Sequence, residues 1–223
     1  MNVLALTVDY GAEELSALGR LLAADDAPGL AAPEPAPMTP ETRRAVHAAA
    51  WRGLVARRAI LLEPGPPASF ALAEPHASLL APLIAPERTV VLDRWEPRGG
   101  ERRVAFYLRE NVAVEQEALP GLIYRHTLIA RAAVRERLLA AAAIPEDRPP
   151  AQGQPLETTR KALTASRDDT SPPLLYAALA VGMVGEEVWV DGGELGLWRG
   201  RGQRTVTLRP TTPDELRAAL SPR

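Results

Sequence analysis

The sequence predicts an α+β protein in which antiparallel β-meanders are flanked by helices and the chain forms two quasi-equivalent halves. Three observations predict this class. Leucines and alanines recur at helical spacing in several segments, while other segments are short, apolar or alternating and are separated by pairs such as Gly99-Gly100 and Glu110-Asn111. The order helix, β-meander, helix occurs twice. Because short turns join antiparallel neighbours, both meanders are expected to form antiparallel sheets.

The N-terminal segments predict a strand and two helices. A short β-prone segment lies at residues 3–8, and leucines at helical spacing predict a helix at 12–24. Five prolines between Pro28 and Pro40 remove backbone donors, so this stretch is expected to be an extended connector. A second helix, from about residue 40 to residue 57, follows a threonine that can cap its first turn.

The next segments suggest one alternative function. Strands are expected at residues 59–63 and 69–72, and a helix at 74–84. Helix, β-pair and helix in this order resemble a winged helix, and the preceding helix is rich in arginine, so a winged-helix transcriptional regulator is an alternative interpretation. The net charge of −2 gives no overall attraction to phosphate, and nucleic acid binding is therefore neither supported nor excluded.

A proline-rich stretch divides the chain. Before it, the first meander is expected to have strands at 88–95, 101–109, 112–117 and 122–128 and a closing helix at 129–143. Four prolines mark residues 145–157 as a linker between an N-terminal half, residues 1–144, and a C-terminal half, residues 158–223. One compact domain overall is the alternative.

The C-terminal half repeats the same order in shorter form. Helices are expected at 158–165 and 172–183, strands at 187–190, 195–199 and 204–208, and a last helix at 212–220. That helix opens with Thr212-Pro213-Asp214-Glu215, which is a capping signal. Gly192-Gly193 lies between two strands rather than before a helix, so it predicts a hairpin and not a phosphate-binding loop.

Composition limits the compartment and the chemistry. Apolar residues make up 46% and charged residues 24% of 223 residues, and no apolar run reaches the length of a membrane span, so a globular protein without a membrane segment is expected. The N-terminus meets acidic residues at once and does not resemble a secretory signal, which predicts a cytoplasmic location. Cysteine is absent, which excludes disulfides, thiolate metal sites and thiol nucleophiles. Just one of the 26 basic residues is lysine, a usage that suits a GC-rich bacterial genome.

No pattern predicts a catalytic, cofactor-binding or metal-binding site. The chain contains no GxSxG turn, no Walker loop and no GxGxxG segment after a strand. The three histidines, at positions 47, 76 and 126, are far apart in sequence and have no spacing that places two ligands on one face, and His47 and His126 are interpreted as structural. An enzyme or small-molecule binder whose residues converge only in three dimensions is a further alternative.

Tryptophans and arginines in the strands are the candidates for partner binding. Tryptophan is enriched at binding hot spots and also fills cores, whereas clustered arginines either grip acidic groups or form a solvated face. The candidates are Trp95, Trp189, Trp198, Arg199, Arg201 and Arg204, of which the last three surround the turn RGRGQR. They predict a surface for a polypeptide partner.

Three segments resemble the EspG-like chaperones of type VII (ESX) secretion. RAVHAAAWRGLVARRAI at 44–60 is similar to that family's helix followed by Leu-Val-x-Arg-Gly, although Arg58 stands where the family has glycine. LLAPLIAPERTVVLDRW at 79–95 resembles its helix leading into a first strand, and residues 188–220 resemble its closing hairpin and helix.

The resemblance implies a non-enzymatic cytoplasmic chaperone or adaptor. Such a protein holds a polypeptide client, expected to be helical, through the sheet and its hairpin loops. It stabilises the client by covering apolar surface that would otherwise aggregate. No cofactor is implied, and neither the client nor the oligomeric state follows from the sequence.

Overall fold

The chain forms two units, each built from antiparallel strands and helices. The structure is a computed structural model that describes residues 6–31, 38–65, 69–96, 100–159, 162–163, 175–181, 186–202 and 204–220, with the backbone alone at 95, 96, 100, 101, 175–181 and 186. Unit 1 comprises Met1–Glu87 and Tyr107–Arg131, and unit 2 comprises Arg88–Phe106 and Ala132–Arg223. The division into 1–144, a linker at 145–157 and 158–223 stays a prediction.

Unit 1 contains an antiparallel sheet in the order β1-β7-β6 and a separate hairpin of β2 with β3. Helix α1 packs against α2, and α3 packs against β6 and β7. The elements are β1 (Leu6–Gly11), α1 (Ala12–Leu21), α2 (Pro40–Ala56), β2 (Ile60–Glu63), β3 (Ser69–Leu72), α3 (Glu74–Ile84), the end of β5 (Gly100–Arg109), β6 (Val112–Leu119) and β7 (Ile123–Ala130).

The second helix forms as its sequence predicts. Thr39 caps α2 by accepting a hydrogen bond from the backbone N–H of Thr42 at 3.2 Å, and Pro40 occupies the first turn, where no backbone donor is needed. Its buried face centres on Leu54, which is fully buried. The order α2, β2, β3, α3 matches the expected helix, β-pair and helix, while DNA binding by this segment stays a prediction.

The end of α2 explains the departure from the EspG-like pattern at Arg58. Arg58 has a φ of 59°, in the left-handed region, and Ala59 donates its N–H back to the carbonyl of Leu54 at 2.9 Å. This is the C-terminal turn at which helices favour glycine. An arginine adopts it at a cost of about 1 kcal/mol, since its Cβ crowds the backbone.

Unit 2 contains strands in the order β4-β9-β10-β11-β12-β8, each antiparallel to its neighbour. Helix α4 packs against β4. The elements are β4 (Arg88–Glu96), the start of β5, α4 (Val134–Ala142), β8 (Leu156–Thr159), β9 (Leu175–Val181), β10 (Glu186–Asp191), β11 (Leu197–Arg201), β12 (Thr205–Pro210) and α5 (Pro213–Ala219).

The α+β class with antiparallel sheets is confirmed, but one predicted helix is wrong. Residues 175–181, inside the helix expected at 172–183, form β9 and pair with β4 and β10 on either side. The segment LYAALAV has leucine and alanine, which favour helix, yet a short apolar run also suits a strand between two neighbours.

Two other predicted helices differ in extent. Residues 158 and 159 end β8, and most of the remaining helix expected at 158–165 lies outside the described residues. The helix expected at 129–143 begins later, with a 3₁₀ turn at Arg131–Ala133 before α4. In the described part of the chain, no helix is both long enough and apolar enough to cross a lipid bilayer.

Candidate partner-binding site

The outer strands of unit 2 present two chemically different faces. Residues paired across neighbouring antiparallel strands share a face, and successive residues alternate between faces. Trp198 pairs with Val190 and Pro210, so all three lie on the first face. Arg199 pairs with Trp189 and Arg209, so these lie on the second face.

The first face carries an apolar groove of about 500 Å³, the Trp198 groove. Its floor is a buried cluster that includes Val188, Val190 and Val206, with Trp198 packed against it. Two leucines on its rim are largely exposed, Leu156 at 52% and Leu195 at 61%. The groove is lined by Pro149, Pro150, Gln152, Leu156, Leu163, Val190, Glu194, Leu195, Trp198 and Leu208.

One wall of the groove depends on close backbone contact. Leu197 donates its N–H to the carbonyl of Pro149 at 3.0 Å, and Ala151 donates to the carbonyl of Leu197 at 3.1 Å. Gly196 precedes this contact with a φ of 89°, and a Cβ there would lie 2.5 Å from Cα of Ala151. Only glycine satisfies both conditions, so Gly196 sets how closely the proline segment approaches β11.

The second face carries an ion-pair cluster around Glu187. Its carboxylate, 7% exposed, accepts from Nε and Nη2 of Arg199 at 2.9 and 3.0 Å, and from Nε of Arg201. Burial raises the pKa of Glu187, but the hydrogen bonds and positive charges of the two arginines outweigh burial and lower the pKa below its usual value. Glu187 is therefore ionised at neutral pH.

A second ion pair lies on this face. Asp191, whose side chain is also 7% exposed, contacts Nε of Arg148 at 2.7 Å, and its Oδ1 accepts from the N–H of Gly193 at 2.9 Å. These contacts hold both the segment before β8 and the turn after β10. That turn is the hairpin predicted from Gly192-Gly193, with a 3₁₀ turn at its centre.

The predicted partner-binding residues do not form one surface. Trp198 lies in the groove, whereas Trp189 is 1% exposed and packs on the other face. Arg199 and Arg201 come together on Glu187, and Arg204 is exposed after β11. Trp95 lies in β4, with its side chain outside the described residues. A role in partner binding stays a prediction for all six.

Sequence reasoning missed the residues that complete each face. Leu156 falls in the stretch predicted as a linker but begins β8, and Leu195 begins a predicted strand but lies in a 3₁₀ turn. Neither leucine belongs to a periodic pattern that would single it out. Glu187 is one of many carboxylates scattered along the sequence, although it shares the two-residue spacing of Trp189 and Asp191 along β10. Its pairing with Arg199 and Arg201 could be predicted only from the strand register, which no local sequence pattern reveals.

Unit 1 buries a neutral hydrogen-bond network instead. Nε2 of the fully buried His126 lies 2.8 Å from Nε2 of Gln116, which also donates to the carbonyl of Gly29 at 3.0 Å. The Tyr10 hydroxyl lies 2.5 Å from Nδ1 of His76. Burial lowers the pKa of His126 to about 4, so the ring is neutral and accepts from the amide of Gln116. Gln116 thus satisfies Nε2 of His126, whereas Nδ1 is buried and makes no hydrogen bond within the described residues. The interpretation of His126 as structural stays a prediction.

The fold of the chain is an α+β fold of antiparallel strands with packed helices. It is similar to that of the Mycobacterium tuberculosis type VII secretion system chaperone EspG5, whose structure was solved in complex with the PE25-PPE41 dimer. The TM-score is 0.55 at 13% sequence identity, over 96% of this chain and 94% of that chain. At this identity the likeness concerns the fold, and the predicted architectural resemblance to EspG-like chaperones is confirmed. No protein-family model and no curated protein matches the chain.

Proposed function

We propose that the chain is a non-enzymatic adaptor or secretion-chaperone-like protein that holds a polypeptide client. The observation that carries this proposal is the fold shared with a solved chaperone over nearly the whole of both chains. The proposed client is a helical polypeptide with an apolar surface, and the proposed location is the bacterial cytoplasm, where a client must be held before export.

The Trp198 groove is the proposed contact surface. Leu156 and Leu195 leave more than half of their surface in water and line one groove with Trp198, so together they form an apolar patch of the kind that partners cover. Trp198 offers a large, rigid side chain at the centre of the groove, the kind of residue on which binding energy concentrates. Gln152 and Glu194 supply polar atoms to the lining, as expected for an interface with an apolar centre.

The test is capture of the client from the native host, followed by measurement of its affinity. The tagged protein is purified from the host cytoplasm, and a stoichiometric polypeptide is identified by mass spectrometry. The purified pair is then titrated by calorimetry with wild type, Leu195→Asp and Trp198→Ala. Each substitution is expected to weaken binding by at least about tenfold, because each removes apolar contact from the groove.

Leu62→Asp is the matched control. Leu62 is 58% exposed on the β2–β3 hairpin, close to the 61% of Leu195, so both substitutions place one charge on an exposed leucine. Wild-type affinity in Leu62→Asp together with loss in Leu195→Asp supports the groove. The reverse pattern contradicts the groove as the contact surface, and the absence of any stoichiometric polypeptide contradicts the client-binding function itself.

A further inference from the structure

The second face of the unit 2 sheet carries a pocket of about 490 Å³ that is rich in arginine, the arginine pocket. Its charged lining residues are Glu187, Arg199, Arg201, Arg209 and Glu215. We propose that this pocket binds a phosphate-type oxyanion between Arg199 and Arg209. This inference is independent of the client groove, which lies on the first face.

The strand register brings two like charges together. Arg199 on β11 and Arg209 on β12 are direct cross-strand partners, so their side chains leave the same face about 5 Å apart at Cβ. Like charges in such a pair repel and destabilise the sheet. A bound oxyanion between the two guanidinium groups converts this repulsion into two attractive contacts.

The carboxylates of the pocket offset only part of its positive charge. Both oxygens of Glu187 are occupied by Arg199 and Arg201. Glu215 accepts from the hydroxyl of Thr211 and the N–H of Thr212, both at 3.1 Å, and so closes the capping box of α5. Three arginines thus face two carboxylates that already have partners, which leaves an excess of one positive charge.

The two arginines differ in what holds them. The bidentate contact with Glu187 fixes Arg199 through Nε and Nη2, and its Nη1 makes no hydrogen bond within the described residues. Arg209 is exposed, and no hydrogen bond or ion pair to another described residue involves its guanidinium. A fixed Arg199 and an adjustable Arg209 suit the planar, bidentate recognition of phosphate oxygens.

Thr207 adds a neutral donor beside the arginines. It is the cross-strand partner of Arg201 and lines the same pocket, and it is exposed, so its hydroxyl can turn toward a ligand. Hydroxyl and guanidinium donors together match a tetrahedral oxyanion, which accepts hydrogen bonds in several directions. A monovalent halide has no such geometry and is expected to compete poorly.

The experiment is a titration of the full chain with inorganic phosphate and with sulfate, at constant ionic strength set by chloride, followed by heteronuclear NMR or calorimetry. Saturable binding is expected for both anions. Arg209→Gln is expected to weaken it by at least about tenfold, because it removes charge-assisted hydrogen bonds without touching Glu187. Arg135→Gln, a substitution of an exposed arginine on α4 that does not line the pocket, is the matched control and is expected to bind as wild type does.

Each outcome bears on the proposal. No saturable binding of either anion, or equal weakening in Arg135→Gln and Arg209→Gln, overturns it, since the binding is then absent or a general charge effect. Comparison of inorganic phosphate with O-phosphoserine identifies the source of the group: tighter binding of O-phosphoserine indicates a phosphoryl group on a larger molecule, and weaker binding indicates the free ion. Client affinity in Arg209→Gln separates this site from the groove, because the proposed function predicts no change there.

Discussion

In unit 1 the buried polar side chains form neutral hydrogen bonds with one another, whereas in unit 2 the polar side chains of the sheet form ion pairs that open onto a pocket. His126, Gln116 and Tyr10 have hydrogen-bond partners inside their own unit. In unit 2 the Trp198 groove has two largely exposed leucines, and the arginine pocket has one more positive charge than negative charges. Hydrogen bonds between side chains of one unit stabilise its fold, whereas a ligand is expected on a face that has exposed apolar area or excess charge.

The largest expected effect separates Trp189 from Trp198 in unit 2. Trp189→Ala removes a side chain that is 1% exposed and should lower the free energy of unfolding by about 3–5 kcal/mol. Trp198→Ala, at a partly exposed site, should lower the free energy of unfolding by about 1 kcal/mol while it weakens client binding by at least about tenfold. Urea unfolding followed by circular dichroism measures both. Equal losses of stability would mean that the groove tryptophan is as structural as the buried one.

The ion pairs of unit 2 should be the next most sensitive. Glu187→Gln leaves Arg199 and Arg201 facing a neutral amide and should lower the free energy of unfolding by about 2 kcal/mol, since truncating one partner leaves the other charges uncompensated. Glu157→Gln, at an exposed position of β8, is the control, with an expected change below about 0.5 kcal/mol. Both are measured by urea unfolding at pH 7. An unchanged free energy of unfolding in Glu187→Gln would mean that the ion pairs of unit 2 do not stabilise its fold.

The neutral network of unit 1 should make the protein sensitive to mild acid. Since the pKa of His126 is about 4 in the fold and near 6.5 in the unfolded chain, the unfolded chain binds more protons between these values. The free energy of unfolding should therefore fall as the pH falls, by about 1.5 kcal/mol between pH 6.5 and pH 5 from this group. The Glu187 contribution has the lowered pKa of a carboxylate, so it should persist until the pH falls below about 4.5.

His126→Asn tests the assignment of this pH dependence. Asparagine does not titrate, so the slope of unfolding free energy against pH between 5 and 6.5 should flatten in the variant, whatever its absolute stability. Wild type and variant are compared by urea unfolding at several pH values. An unchanged slope would assign the acid sensitivity to another group.

The smallest expected effect concerns backbone strain in unit 1. Arg58→Gly should raise the free energy of unfolding by about 0.5–1 kcal/mol, because glycine relieves the left-handed strain and loses part of that gain through its greater freedom when unfolded. Thermal unfolding in the presence of a fixed concentration of urea resolves a shift of this size. A decrease in stability would show that contacts of the Arg58 side chain outweigh the strain.

Local chemistry was enough to predict the ends of several elements. The threonine caps of α2 and α5 and the hairpin at Gly192-Gly193 depend on residues adjacent in sequence, and all three are present. The strand at 175–181 could not be predicted in the same way, because its conformation is decided by pairing with two strands far away in sequence.

The sequence was enough to name the residue types of the candidate site, but not the strand face on which each residue lies or the residue with which it pairs. Trp198 and Arg199 are consecutive, so a strand necessarily places them on opposite faces, yet the sequence does not state which face receives partners. The Glu187 contacts and the opposition of Arg199 to Arg209 follow from register, which depends on the turns and on the whole sheet.

Gly196 has a consequence for the evolutionary record of this fold. Because a single methyl group there would collide with the backbone of Ala151, the wall formed by the proline segment can keep its position only while this residue has no side chain. In related chains, glycine at this position should accompany a proline segment of the same length and a tryptophan two residues later. Loss of the glycine should coincide with loss of the tryptophan, and the joint presence of the two becomes a sequence marker for chains that retain the groove.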